Sequence, residues 1–388
     1  MKSNNFERRS IADVNIMYVI PNMIAGGIER NVVEVANHFI NKGVNVYVLT
    51  TECKMFNLLD SRVNVVLHDV KTKNFFKIVY NAFKIKAICR ELKIDIIHVK
   101  SRAPAWSVWL ASKMIKVKTV STVHGIYNIS TRLKRVYSKA MMSQQAVIAV
   151  SEFAKNYVLN NFDVDEEKLY TISRGIDFSF YSQSFITKSR LAEAINSMNL
   201  SHTDKKIILF PGRLSNIKGQ ELLVEALRYL ERKDYLCIIL GDCGKSFKLK
   251  NKIFNKIVEY GLEENVYFVE NVSDMRGAYT FAHVVLCLST KAESFGRVPI
   301  EAGAMCRPSI VSDIGGLSQS VIENKTGWFV VPSSMEDIVE KINIALDLPR
   351  DEWEKMCLEA RAYCSKYFDI NTMFRNTELV YLNLLNNL

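Results

Sequence analysis

The feature that most constrains the fold is a regular alternation of short β-rich runs with helical patterns. Val14–Ile20 reads as a buried strand. It is followed by Ile24–Arg30 and then by an apolar periodic stretch of Val32, Val33, Val35, Ala36, Phe39 and Ile40, which reads as a helix stopped near Gly43. Val44–Thr50, Val63–Leu67, Asp95–Val99, Lys118–Val123, Ala146–Val150 and Leu169–Ile172 repeat the strand signal, with helical spacers between most of them, and Ser151 suits an N-cap. Such alternation implies a parallel sheet covered on both faces, because parallel strands need crossovers that return over the sheet.

The pattern loosens through the polar stretch Phe178–Thr203 and restarts at Lys205, with strand-like runs at Ile207–Phe210, Tyr235–Leu240, Asn265–Val269, Val284–Leu288, Ser309–Val311 and Trp328–Val330. A chain of 388 residues is also too long for one core, since single cores stop growing at roughly 250–300 residues. Two doubly wound domains are therefore expected, 1–190 and 191–370. In such sheets ligands sit at the carboxyl ends of the strands. Two of them facing each other would enclose one cleft, where the chemistry belongs.

The composition, 48% hydrophobic and 24% charged, is that of a globular protein. No apolar run approaches the ~20 residues that cross a bilayer, and Met1–Asp13 lacks the apolar region of a signal peptide, so a cytoplasmic location is expected. Cys53, Cys89, Cys237, Cys243, Cys287, Cys306, Cys357 and Cys364 are scattered without a CxxC pair, as expected of free, mostly buried thiols. The net charge of +10 is unevenly spread: residues 1–200 hold 28 Lys and Arg against 16 Asp and Glu, and residues 201–388 hold 23 against 25. A basic first half attracts an anionic substrate, a membrane surface or nucleic acid. Nucleic acid is the poorest fit, because neither a known module nor aromatics interleaved along a basic groove is evident.

Candidate chemistry clusters at strand ends. Glu293-Ser294-Phe295-Gly296 follows the run Val284–Leu288 and opens a helix with Pro299 in its first turn. Free N–H groups and the positive helix end make this an anion-binding spot. Glu293 can accept hydrogen bonds from sugar hydroxyls, and Glu301, about two turns on, from a ribose. Arg213 and Lys218, in Pro211–Gly219, offer a fork and a point charge to a diphosphate; the order is not that of a P-loop. Gly26 and Gly27 occupy the first strand-to-helix turn and permit close backbone approach, without the GxGxxG of a dehydrogenase. His124, beside Gly125, ends the run Lys118–Val123. Asp163 and Asp165 have DxD spacing but fall in a polar connection, and no metal site is expected. Arg132, Arg135 and Lys139 share one face of a helix expected over Ser130–Met142, with Leu133, Val136, Tyr137 and Met141 turned elsewhere. That stripe suits an anionic membrane surface or simple solvation. The segment Lys71–Lys93 is basic too, but its apolar residues spread around the helix.

Taken in order, these motifs resemble glycosyltransferase family 4, the retaining enzymes of GT-B fold. The resemblance runs from about Val14 to the C-terminal helices, through Gly26–Arg30, His124-Gly125, Val150–Phe153, Gly175–Asp177, Arg213 with Lys218, and Glu293 with Glu301. Lys100–Trp106 and His124–Asn128 look like a branch from bacteria that make lipopolysaccharide. The resemblance implies an α/β GT-B fold, two Rossmann-like doubly wound parallel-sheet domains facing a central cleft, with the helix near Asn371–Leu388 crossing back to the first. It implies a nucleotide-diphosphate sugar donor and a glycan or lipid-linked acceptor. Arg213 and Lys218 would bind the diphosphate, Glu301 the ribose, and Glu293 with residues 294–296 the sugar. Gly26 and Gly27 would approach the diphosphate, and His124 would sit beside the transferring sugar. Ser294 stands where glycine is frequent, and Arg174 where asparagine is frequent. Retention in such enzymes runs by same-face attack, the leaving diphosphate helping to deprotonate the acceptor, with no metal or other cofactor required. The competing readings are a sugar phosphorylase or epimerase on the same architecture, or a silent scaffold protein, for which four retained site residues have no chemical need.

Overall fold

The computed structural model describes residues 10–386 apart from 25, 199, 201–203, 243–245, 271 and 273. They form two compact units, one of residues 1–173 with 372–388 and one of 174–371.

Unit 1 contains a seven-stranded parallel sheet: β1 (Asn15–Val19), β2 (Asn45–Thr50), β3 (Asn64–Leu67), β4 (Ile96–Val99), β5 (Lys118–Val123), β6 (Ala146–Ala149) and β7 (Leu169–Thr171), in the order β3-β2-β1-β4-β5-β6-β7. Its helices are α1 (Gly27–Asn41), α2 (Phe75–Glu91), α3 (Arg102–Ser112), α4 (Arg132–Met142) and α5 (Glu152–Asn161). Ile16, Met17, Tyr18 and Val19 of β1, an interior strand, are all fully buried, as strands sandwiched between helices must be. Ser151 does cap α5, accepting from the Ala154 N–H at 3.0 Å.

Unit 2 repeats the plan with β8 (Lys206–Pro211), β9 (Tyr235–Leu240), β10 (Val266–Val269), β11 (Val284–Cys287), β12 (Ser309–Ser312) and β13 (Gly327–Val330), ordered β10-β9-β8-β11-β12-β13 and parallel throughout. Its helices are α6 (Lys188–Ser197), α7 (Gln220–Leu227), α8 (Phe247–Glu259), α9 (Met275–Phe281), α10 (Arg297–Ala304), α11 (Met335–Asp347) and α12 (Arg350–Tyr367). Ile208, Phe210, Ile239, Leu286, Ile310 and Trp328 centre one face of its core, and Leu209, Ile238, Val285 and Ile300 the other.

The units divide at Ser173/Arg174 rather than at 190/191. The polar stretch expected to separate them contains α6, whose Ala194 lies against Gly277 of α9, so it belongs to unit 2. A last helix, α13 (Ile370–Asn386), lies almost wholly in unit 1. There Phe374 stacks on His38 with ring centroids 4.0 Å apart, and the Tyr381 hydroxyl lies 2.6 Å from His98 Nδ1. Burial, and then the nearby Lys100 charge, holds His98 well below its ordinary pKa, so a neutral imidazole joins Tyr381 to Thr122.

Candidate functional site

In unit 2 the chain leaves β8 towards β9 on one side and β11 towards β12 on the other. Loops diverge at such a point and leave room for a ligand at the strand ends. The two loops concerned are 212–219 and 288–296. Gly212 and Gly219 have φ of +149° and +85°, and a Cβ on Gly219 would stand 2.1 Å from the Leu288 carbonyl oxygen. The first loop therefore rests on the second in a way only glycine permits. The Thr290 N–H donates to the Ile217 carbonyl at 2.8 Å, and its hydroxyl lies 3.3 Å from the carbonyls of Asn216 and Ile217.

This bracing brings Lys218 to Glu293. The ammonium sits 2.7 Å from both carboxylate oxygens, with the two side chains 29% and 22% exposed, and the Ser289 hydroxyl donates to the same carboxylate. Arg213, on the same loop, is exposed. Its guanidinium is thus available at the strand end where an anion would lie.

A third loop, after β12, supports the second. The Gly316 N–H donates to the Glu293 carbonyl at 2.7 Å. A Cβ on Gly316 would fall 2.3 Å from the Ser294 carbonyl oxygen, and one on Gly315, whose φ is +66°, 2.7 Å from that of Glu293. Ser294 is buried beneath this contact. Phe295 meets Phe368 edge-on at 5.8 Å, and Gly296 caps α10. The end of α10 thus presents its first N–H groups from a fixed backbone, an arrangement that favours an anion. Glu301, one turn into α10, receives Arg297 Nε at 2.7 Å and the Tyr279 hydroxyl at 3.1 Å. Burial, and then the Glu301 charge, pushes the Tyr279 phenol far above its ordinary pKa, so it stays protonated and donates.

Unit 1 has its own divergence point between β1 and β4. Gly26, with φ of +143°, caps α1, and Gly27 begins that helix, both exposed at the carboxyl end of β1; Ala25 lies outside the described residues. His124 directly follows β5 and is half-buried. Lys100 and Arg102 follow β4. Lys100 is 3% exposed, with Nζ 3.4 Å from Asn31 Oδ1. Arg102 lies over the Tyr127 ring at 4.4 Å. Gly26, Gly27 and His124 thus share one end of the unit 1 sheet, while Arg213, Lys218, Glu293–Gly296 and Glu301 gather at the carboxyl end of the unit 2 sheet.

The side-chain reading missed Lys100, Arg102, Ser289, Tyr279, Arg297 and the Gly315-Gly316 pair. Two basic residues directly after a strand run, and a Gly-Gly after Ser309–Val311, were the available signals. Asp165 of the DxD caps a short helical turn, accepting from the Glu167 N–H at 3.1 Å, and pairs with Lys168 at 3.5 Å. The α4 stripe also needs correction. Leu133 and Val136 are 81% and 50% exposed, alongside the exposed Arg132, Arg135 and Lys139, while Met141 is buried.

Two doubly wound parallel units in one chain, each with glycine turns at its divergence point, are the architecture of the GT-B glycosyltransferases. Residues 25–180 match the family described as Glycosyltransferase Family 4, and residues 192–367 that described as Glycosyl transferases group 1. A glycosyltransferase from Rickettsia africae ESF-5 superposes with a TM-score of 0.90 at 31% identity, over 97% of this chain and 99% of that one. HepE from Anabaena, solved with UDP and glucose, has the same fold: TM-score 0.83, 20% identity, 97% and 100% covered. Spore coat protein SA of Bacillus subtilis strain 168 is 26% identical over 255 residues, 63% of this chain and 67% of that protein. The chain belongs to glycosyltransferase family 4, and its activity is glycosyl transfer.

Proposed function

We propose that the protein is a retaining enzyme that moves a sugar from a nucleotide-diphosphate donor to a glycan or lipid-linked acceptor, in the synthesis of lipopolysaccharide or another cell-envelope polysaccharide. The observation that carries the donor reading is the Lys218–Glu293 pair, held by glycine-only contacts beside the amino end of α10. A diphosphate at this strand end would take charge from Lys218, Arg213 and the α10 N–H groups, stabilising the leaving group as charge develops on it. Glu293, released from the lysine, would accept from sugar hydroxyls, and Glu301, oriented by Arg297 and Tyr279, from a ribose. Gly26 and Gly27, at the carboxyl end of β1, leave backbone open to a ligand, and His124 stands at the same end of the unit 1 sheet. Protonation of the leaving group and deprotonation of the acceptor are then one same-face exchange, without a protein nucleophile or a metal. HepE, solved with UDP and glucose, supports a nucleotide-sugar donor on this fold, and the runs Lys100–Trp106 and His124–Asn128 support an envelope acceptor.

The test has two stages. Thermal-shift screening against UDP-, GDP- and ADP-sugars identifies the donor, since a bound ligand raises apparent stability by mass action. Transfer is then measured without added phosphate, which separates a transferase from a phosphorylase. Arg213→Ala and Lys218→Ala should each lower turnover at saturating donor by on the order of 10²-fold. Near-wild-type turnover in either variant would overturn the assignment of the diphosphate site.

A further inference from the structure

The loops after β4 and β5 offer a ligand cations and no carboxylate. Between Asp95 and Glu152 the sequence has nine Lys and Arg and no Asp or Glu. Two of the nine, Lys100 and Arg102, stand directly after β4, beside the divergence point where a doubly wound sheet receives its ligand.

Arg102 is held in place without being neutralised. Its guanidinium lies over the Tyr127 ring at 4.4 Å and near that of Tyr137 at 5.9 Å, and Nη1 donates to the buried Ser138 hydroxyl at 3.1 Å. That hydroxyl gives its one proton to the Lys134 carbonyl at 2.9 Å, so towards the arginine it acts as acceptor alone. The Tyr157 hydroxyl donates to the Tyr127 carbonyl at 2.7 Å and fixes the loop that carries the ring. Together these contacts occupy the face of the half-buried guanidinium and one of its donors. They leave the Nε–Nη2 edge, the pair of donors that matches two oxygens of a carboxylate or phosphate. In unit 2 the same edge is already used: by Asp234 on Arg232, by Asp274 on Arg276, and by the Tyr279 and Thr280 carbonyls on Arg307. Among the described residues no carboxylate meets Arg102. Lys100 places a second positive charge beneath it. Its ammonium is 3.5 Å from Thr122 Oγ1 and 5.5 Å from the centre of the Tyr18 ring, and Thr122 is in turn held by His98 at 2.7 Å. A charge enclosed in protein acts over a longer distance than a solvated one.

We propose that the acceptor sugar carries an acidic group, a phosphate monoester or a carboxylate, and that the Nε–Nη2 edge of Arg102 binds it, with the Lys100 charge assisting from beneath. The inference rests on the transfer reading above and deepens it by naming the class of acceptor. Two parallel hydrogen bonds fix the orientation of the anion as well as its position, so this anchor selects which acceptor hydroxyl is presented for transfer.

The test is titration calorimetry on an Arg213→Ala/Lys218→Ala chain, in which the proposed diphosphate site is disabled, with inorganic phosphate, glucose 6-phosphate, glucuronate and glucose. Phosphate and at least one of the two acidic sugars should bind, and glucose should not. Arg102→Gln should weaken that binding on the order of tenfold. Arg102→Lys, which keeps the charge but not the parallel donors, should recover it only in part. Lys100→Met should weaken it by about fivefold, and Arg132→Gln/Lys139→Gln, on the exposed face of α4, by less than about twofold. In the otherwise unaltered chain Arg102→Gln should leave nucleoside diphosphate affinity unchanged, so failure of the acceptor subsite and failure of the donor reading are seen separately. The proposal is overturned if glucose binds as tightly as its 6-phosphate, if Arg102→Gln binds the anions as its parent does, or if the α4 double variant loses as much as Arg102→Gln, which would make the attraction a property of the whole basic face.

Discussion

The pairing of Lys218 with Glu293 sets up a competition that Glu293→Gln exposes. The carboxylate holds the ammonium through both oxygens at 2.7 Å. A donor diphosphate needs the same ammonium and would also sit near the Glu293 charge. With the side chains 29% and 22% exposed, solvent screening reduces the attraction well below its value in a dry interior, and a net contribution of about 1–2 kcal/mol is reasonable. Glu293→Gln removes both the competitor and the repulsion. The variant should therefore bind the free nucleoside diphosphate roughly 5- to 30-fold more tightly. Turnover should move the other way, falling on the order of 10²-fold, because the amide turns one of the two acceptor oxygens facing the sugar into a donor and removes the charge from the other. Titration calorimetry with UDP, GDP and ADP gives the first quantity, and single-turnover transfer the second. Nucleoside diphosphate affinity that is unchanged or weaker in Glu293→Gln would refute the competition, whatever happened to the rate.

Other perturbations test separate parts of the structure. Gly219→Ala, at φ +85° and with its new methyl 2.1 Å from the Leu288 carbonyl oxygen, should cost roughly 2–4 kcal/mol of unit 2 stability, seen as a lowered denaturant midpoint. His283 stacks on Trp353 at 4.9 Å, and burial lowers its pKa to about 4. The unfolded chain then binds more protons between pH 6.5 and 4, so this contribution is complete above pH 6.5 and is lost as pH falls towards 4. Discounted for screening it is about 2 kcal/mol, and His283→Gln should flatten that limb of the stability–pH curve. Burial pushes the thiols of Cys89, Cys287, Cys357 and Cys364 up to about 12; they should resist iodoacetamide at neutral pH until the protein is unfolded, as mass spectrometry of peptides will show.

Strands were the most legible part of the chain, since a parallel strand buried on both faces spells a continuous apolar run, as Tyr235–Leu240 does. Helix α6 was missed because of its slight burial, Ala194 being its buried residue. On α2 the period could be read but not the burial: two apolar faces look alike in a sequence, and only the packing of Ile78 and Ile85 inward shows that Phe76 and Phe83 face out. In the candidate site, Arg213, Lys218, Glu293 and Glu301 were each identifiable from strand-end position and residue type. Their partners were not. Lys218 and Glu293 are 75 positions apart and meet because β8 neighbours β11, a matter of topology, and the Gly316 contact likewise depends on where β12 lies. The Arg297–Glu301 pair, with its i,i+4 spacing, could have been foreseen.

The place of α13 has a consequence for how the protein is made. The first 173 residues emerge from the ribosome long before Thr372–Asn386, yet it is this late segment that supplies Tyr381 to His98 and Phe374 to His38. Unit 2 is contiguous and can close as soon as residue 371 is free. The first-made sheet must wait, with Phe39 and Tyr18 partly uncovered, for a helix synthesised after the whole of the second. The order of completion is thus the reverse of the order of synthesis, and the interval between them is when this chain is most open to wrong association.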